Sequence, residues 1–198
     1  MIPEFLNLPV VILIYLTATA LLISWDWRVS IISLAIQYLG VVILVSASWT
    51  IQTALVKLVA GWMACLVLVI ALRNLPSFRI DGGKTSTSEI MFRLIAAVMA
   101  GLFAFTGGAR LIIWLPEISP EQAYGSIILI AMGLLHLGLT NHPFRVILGL
   151  LTILSGFGIL YAALESSILI AGLLALVTLG LAIICAYLLN VPTLEEAS

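Results

Sequence analysis

From residue 123 to residue 189 the chain reads as helix, short basic turn, helix, short turn, helix, and the stretches 146–158 and 169–188 within it contain no charged side chain. Backbone N–H and C=O groups surrounded by lipid must be satisfied inside their own segment, which a helix does. These residues therefore belong in a bilayer as helices. Any function of the chain is exercised there.

The same pattern extends to the N-terminus. One helical crossing needs about 20 apolar residues to traverse about 30 Å of hydrocarbon, and segments of that kind fall at 5–25, 29–48, 50–72, 92–113, 122–140, 144–164 and 168–189. Turn-forming or charged residues separate them: Asp26-Trp27-Arg28, residues 46–50, residues 73–90, residues 116–121, Asn141-His142-Pro143 and Glu165-Ser166-Ser167. The expected fold is all-α, a polytopic membrane bundle of about seven helices forming a single membrane domain over 1–198. Its parts are an N-terminal three-helix portion (1–76), a cytoplasmic loop with the fourth helix (77–121) and a C-terminal three-helix unit (122–190). Composition agrees: 63% of residues are hydrophobic and 9% charged, against about 25% charged in a soluble domain.

Cations report orientation, because cytoplasmic loops retain Lys and Arg. In a seven-span arrangement Arg28, Arg73, Arg79, Lys84, Arg93 and Arg145 share one side, whereas Glu4, Glu117, Glu121 and Glu165 share the other with Arg110. The N-terminus is thus expected outside and the C-terminus in the cytoplasm. Trp25, Trp49, Trp114, Tyr124, Tyr161 and Tyr187 fall near helix ends, as an interfacial aromatic belt should. No basic region precedes the first apolar run, so that helix is expected to persist in the mature protein.

A net charge of −1 argues against a nucleic-acid partner. Cys65 and Cys185 lie inside apolar segments and read as packing residues. Gly83-Lys84-Thr85 looks like the end of a phosphate-binding loop, yet Phe78 stands where that motif needs its first glycine. No nucleophile and base pair, paired carboxylate, metal cluster or cofactor loop is legible, so no cofactor is expected and the chain does not read as an enzyme.

Four ionisable residues remain as candidates. Lys57 is the one formal charge well inside a span, where an ionisable group costs about 2.5–3.5 kcal/mol and marks a proton path or an inter-subunit contact unless it snorkels to the headgroups. His136 lies near the inner end of the fifth helix, either titrating or packing with a hydrogen bond; His142, in the turn, reads as a headgroup contact. Arg110 anchors the outer end of the fourth helix, with Glu117 or Glu121 as partner, and Arg145 is the cation of the last inner turn. Ala96, Ala100, Ala104 and Gly108 recur every four residues, a ridge that admits a close helix from this chain or another. Thr152, Ser155 and Thr178 are expected to bond back to their own helices.

The turn Thr140-Asn141-His142-Pro143-Phe144-Arg145 and the helix after it, through Gly149-Leu150 to Gly156, resemble the small three-helix subunit of NADH:quinone oxidoreductase known as chain 4L or subunit K. More closely, the chain resembles the longer component E of formate hydrogenlyase and hydrogenase-4 complexes, in length, in layout and over residues 31–76, where Lys57 is followed by Arg73-Asn74-Leu75-Pro76. The subunit K family carries two membrane glutamates for proton translocation; Leu151 and Leu176 stand at the matching positions here, and Thr140, Asn141 and His142 replace an Arg-Arg-Asn turn.

The resemblance implies a non-catalytic integral subunit of a complex I-like or membrane-bound hydrogenase-like proton-translocating complex, with a packing or bridging role. Its partners would be antiporter-like, quinone-site or hydrogenase membrane subunits in the plasma (inner) membrane of a prokaryote. The alternatives are an autonomous small transporter or channel using Lys57 and His136, and a membrane scaffold.

Overall fold

The computed structural model describes residues 7–73, 87–165 and 167–190, with the side chains of 7 and 8 excepted. The expectations attached to Glu4, to Arg79, to Gly83-Lys84-Thr85 and to the residues closing 31–76 lie outside these. Among the described residues the secondary structure is seven α-helices: α1 (Asn7–Ile23), α2 (Trp27–Val45), α3 (Ile51–Arg73), α4 (Thr87–Trp114), α5 (Pro120–Gly138), α6 (Pro143–Leu164) and α7 (Ile168–Asn190). Five of them, α2, α3, α4, α6 and α7, are long and apolar enough to cross a membrane, and α1 adds a shorter apolar run, Pro9–Ile23. The chain is a multi-pass helical membrane bundle.

Local chemistry sets where the helices begin. At α2 the Asp26 carboxylate accepts from the backbone N–H of Arg28 at 2.9 Å, an N-cap that starts the helix two residues before the apolar run. At α5 the Ser119 hydroxyl and Gln122 amide close a capping box ahead of Pro120. The largest departure from the apolar pattern is α4, which begins at Thr87 instead of residue 92. Its polar first turns are held by an ion pair between Glu89 and Arg93 at 2.8 Å, one turn apart.

Long-range hydrogen bonds tie the helix ends into two layers. At one end Arg93 near the start of α4 donates to the carbonyl of Leu22 near the end of α1, and Arg145 in the first turn of α6 donates to the carbonyl of Ser24. At the other end the Gln122 amide donates to the carbonyl of Leu44 and to the Ser48 hydroxyl, both at 2.8 Å. There too, the Trp49 indole donates to the carbonyl of Glu165 at 3.0 Å. Starts of α4 and α6 thus lie with the end of α1, and the start of α5 with the end of α2, as short connections between successive helices require.

The interior holds two apolar clusters. One cluster packs Ile14, Leu22, Leu44, Ala104, Leu129 and Ile159, and the second packs Leu34, Tyr38, Leu68, Leu148, Leu151 and Ala182. α1, α2, α3, α6 and α7 contribute to both. α5 and α6 are in backbone contact: a Cβ at Gly133 would stand 2.9 Å from the carbonyl oxygen of Gly149, and one at Gly156 would stand 2.8 Å from that of Ser126. Close approach through glycine is how membrane helices gain dispersion contacts without a hydrophobic driving force.

α4 is the peripheral helix. Its ridge is occupied from within the chain: Ala104 and Gly108 are buried, Ala96 and Ala100 partly so, and Gly108 lies under the Tyr124 ring of α5. Tyr15 of α1 donates to the carbonyl of Ala97 at 3.2 Å. The opposite face, with Met99, Phe103 and Ile95, is exposed.

Candidate intramembrane site

Lys57 does not snorkel. The buried residues of α3 include Ala54, Lys57, Gly61, Ala64, Cys65 and Leu68, one stripe at helical spacing, so the lysine stem leaves on the face that meets the bundle. Lys57 is 9% exposed. Its amine nitrogen lies against Gly158 of α6, so close that a Cβ there would overlap it. Lys57 is six residues into α3 and Gly158 six residues short of the end of α6, which at 1.5 Å per residue places both about 9 Å from the same end of the bundle.

Two side chains of α2 also hold buried polar atoms without partners. The Lys57 Nζ, both amide atoms of Gln37 and the Tyr38 hydroxyl are buried and make no hydrogen bond. Gln37 is 0% exposed. The Tyr38 ring fills the space above Gly61, one turn along α3 from Lys57, and its hydroxyl lies beside Ser155 of α6. A turn beyond Ser155 is Gly158, which closes the circuit from α2 through α6 to α3.

Ser30, Ser33 and Gln37 continue this line down the buried face of α2, and Thr152 and Ser155 down that of α6. The Thr152 and Ser155 hydroxyls donate to Leu148 and Leu151 carbonyls at 2.8 Å, and Thr178 does the same to Leu174 at 2.8 Å. Their donors are spent, but each oxygen still accepts. The site is therefore a proton-binding amine against Gly158, with the Tyr38 ring one turn along α3 and the Ser155 hydroxyl one turn along α6; the described acids, Asp26, Glu89, Glu117, Glu121 and Glu165, all sit at or near helix ends.

A separate cationic constellation occupies the end where α1 stops. Trp25, between α1 and α2, has the Arg145 guanidinium 4.2 Å and the Arg93 guanidinium 4.8 Å from its ring centroid, both within cation–π range. Arg145 is 3% and His136 4% exposed, and His136 lies within electrostatic reach of both arginines. The structure thus brings Arg145 and His136 to one corner and leaves Lys57 elsewhere. His142 is half-buried beside it at the N-cap of α6. Burial, and then the Arg145 charge, hold its imidazole pKa below the ordinary value. Arg110 is exposed near the end of α4 and forms no salt bridge with Glu117 or Glu121.

Gln37 and Trp25 are the members that sequence reasoning passed over. Gln37 carried a signal, being an uncharged amide in the middle of an apolar run; Trp25 read only as an interfacial aromatic, since nothing local announces two distant arginines. Among the described residues no group of three His, Cys, Asp or Glu side chains converges to hold a metal ion.

The fold and site define a multi-pass helical membrane protein with a buried, unpaired lysine. No protein-family model, curated protein or solved structure matches the chain.

Proposed function

We propose that the chain is a non-catalytic integral membrane subunit of a proton-translocating complex of the complex I or membrane-bound hydrogenase type, where it packs between or bridges the working subunits. In this proposal all seven helices span, with the N-terminus outside and the C-terminus in the cytoplasm of a prokaryote. The observation that carries the packing role is at the two positions where the subunit K family has its glutamates. Leu151 of α6 is wholly buried, and Leu176 of α7 is 68% exposed. Leu151 stands one turn below Ser155, whose hydroxyl donates to its carbonyl, but an alkyl side chain carries no proton, so leucine at both positions supports contact more than relay. Purification in a mild detergent tests this: antiporter-like and quinone-site or hydrogenase subunits are expected to copurify, and a chain that runs alone overturns it.

The unpartnered Lys57 amine favours a second reading, a small transporter or channel whose conducted species meets Lys57, Gln37 and Tyr38 in turn. Here liposomes of the purified chain would show a flux that Lys57→Ala abolishes. Equal flux with the variant removes Lys57 from the pathway.

A further inference from the structure

Arg145 enters the bundle with half of its fork unused. Its Nη2 donates to the carbonyl of Ser24, and its Nη1 is buried with no partner. The Trp25 indole N–H, which can only donate, is likewise buried and unpartnered, as is Nε2 of His136. Among the described residues neither acid at this end hydrogen-bonds Arg145, although Glu89 lies within its electrostatic reach. Glu89 pairs with Arg93 at 2.8 Å, and Asp26 caps α2 through the Arg28 N–H.

The start of α6 adds to the positive field. Its first turn holds no acid, so no carboxylate within that turn offsets the partial positive charge of the helix N-terminus. A helix start, a guanidinium with a free N–H pair and an indole donor together form an anion site. The guanidinium fork matches the oxygens of a phosphate in particular. Residues 24–26, which carry Trp25, lie between α1 and α2. Trp25 and Arg145 stand at helix ends, at the level where lipid phosphates sit, and basic pockets between membrane helices take acidic headgroups.

We propose that this corner binds one phosphate-bearing anion, the headgroup phosphodiester of an acidic phospholipid, held by Arg145 Nη1 and the Trp25 indole N–H in front of the N-terminus of α6. The ligand is specified by its phosphate and its place at the membrane surface, whatever complex the chain belongs to.

The full chain, reconstituted in phosphatidylcholine nanodiscs, in phosphatidylcholine with a minority of phosphatidylglycerol, and in phosphatidylcholine with inorganic phosphate added, tests the assignment by lipid retention in native mass spectrometry and by melting temperature. Phosphatidylglycerol is expected to stay bound and to raise the melting temperature. Arg145→Gln should weaken retention about tenfold, the loss of one charge-assisted bond, Arg145→Lys should restore part of it, and Trp25→Phe should show a smaller loss. Retention by Arg145→Gln equal to that of the wild type overturns the proposal. An equal rise with inorganic phosphate alone overturns the lipid source. Should Arg145→Gln not fold, the wild type decides by itself, since no preference for phosphatidylglycerol over phosphatidylcholine also overturns the site.

Discussion

The amine of Lys57 rests on the α-carbon of Gly158, two helices that the chain separates by a hundred residues meeting at one depth. Gly158→Ala pushes a methyl group into the nitrogen and is expected to destabilise the bundle by about 1–3 kcal/mol, the cost of overpacking a filled site. In a Lys57→Ala background the same change should cost almost nothing, because its obstacle is gone. Unfolding in mixed detergent micelles for the four proteins of the cycle checks this; equal costs in both backgrounds would falsify the contact.

Lys57→Met keeps the unbranched stem and deletes the unpaired ammonium. Since an intramembrane lysine costs about 2.5–3.5 kcal/mol, the variant is expected to unfold later than the wild type, by about 2 kcal/mol. Earlier unfolding would mean that the amine has a partner in the membrane.

Gln37 buries an amide whose oxygen and nitrogen both lack partners. A buried unmade hydrogen bond costs about 1–3 kcal/mol, so Gln37→Leu should stabilise the fold by an amount in that range. A destabilised Gln37→Leu would show that ordered water serves the amide, and hydrogen exchange at α2 would then rise with it.

Arg93 joins three elements, donating to the Leu22 carbonyl at 2.9 Å and to Glu89 at 2.8 Å while covering Trp25. Arg93→Ala is expected to cost about 1.5–3 kcal/mol and to quench-shift Trp25 fluorescence. Glu89→Gln should cost under about 1 kcal/mol, because that carboxylate is exposed and screened. A larger loss from Glu89→Gln than from Arg93→Ala would reverse the assignment of the tether.

His142 supplies a pH dependence. Its folded pKa is lowered, first by burial and then by Arg145, so protonation is easier in the unfolded chain. The contribution is complete above the unfolded pKa of about 6.5 and is lost as pH falls through the folded value. Melting temperature is therefore expected to drop between neutral and mildly acidic pH, and the drop should shrink in His142→Gln. An unchanged drop in that variant would place the titrating group elsewhere.

Most of the fold was legible because apolar length is a local property. Residues 144–164 and 168–189 become Pro143–Leu164 and Ile168–Asn190 with little change, since lipid accepts nothing else from such runs. The start of α4 was not legible: Thr87 to Phe92 looks like loop by hydropathy, and its helix is held by the Glu89–Arg93 pair and by the reach of Arg93 to α1. The ridge at Ala96, Ala100, Ala104 and Gly108 announced a close helix without naming it. Tyr124, which covers Gly108, comes from α5, and Tyr15, against the neighbouring Ala97 and Gly101, comes from α1.

By itself the sequence determined the all-α class, the positions of the helices and the presence of one charge within a span, because each follows from the chemistry of a single segment in lipid. Tertiary structure alone decided where that charge points. Lys57 on an isolated helix could reach the headgroups; it turns inward here because its stripe of α3 faces the bundle and only a glycine of α6 leaves room for the amine. The Arg145–Trp25–Arg93 corner has the same origin, a cluster made from three helix ends that no local pattern connects.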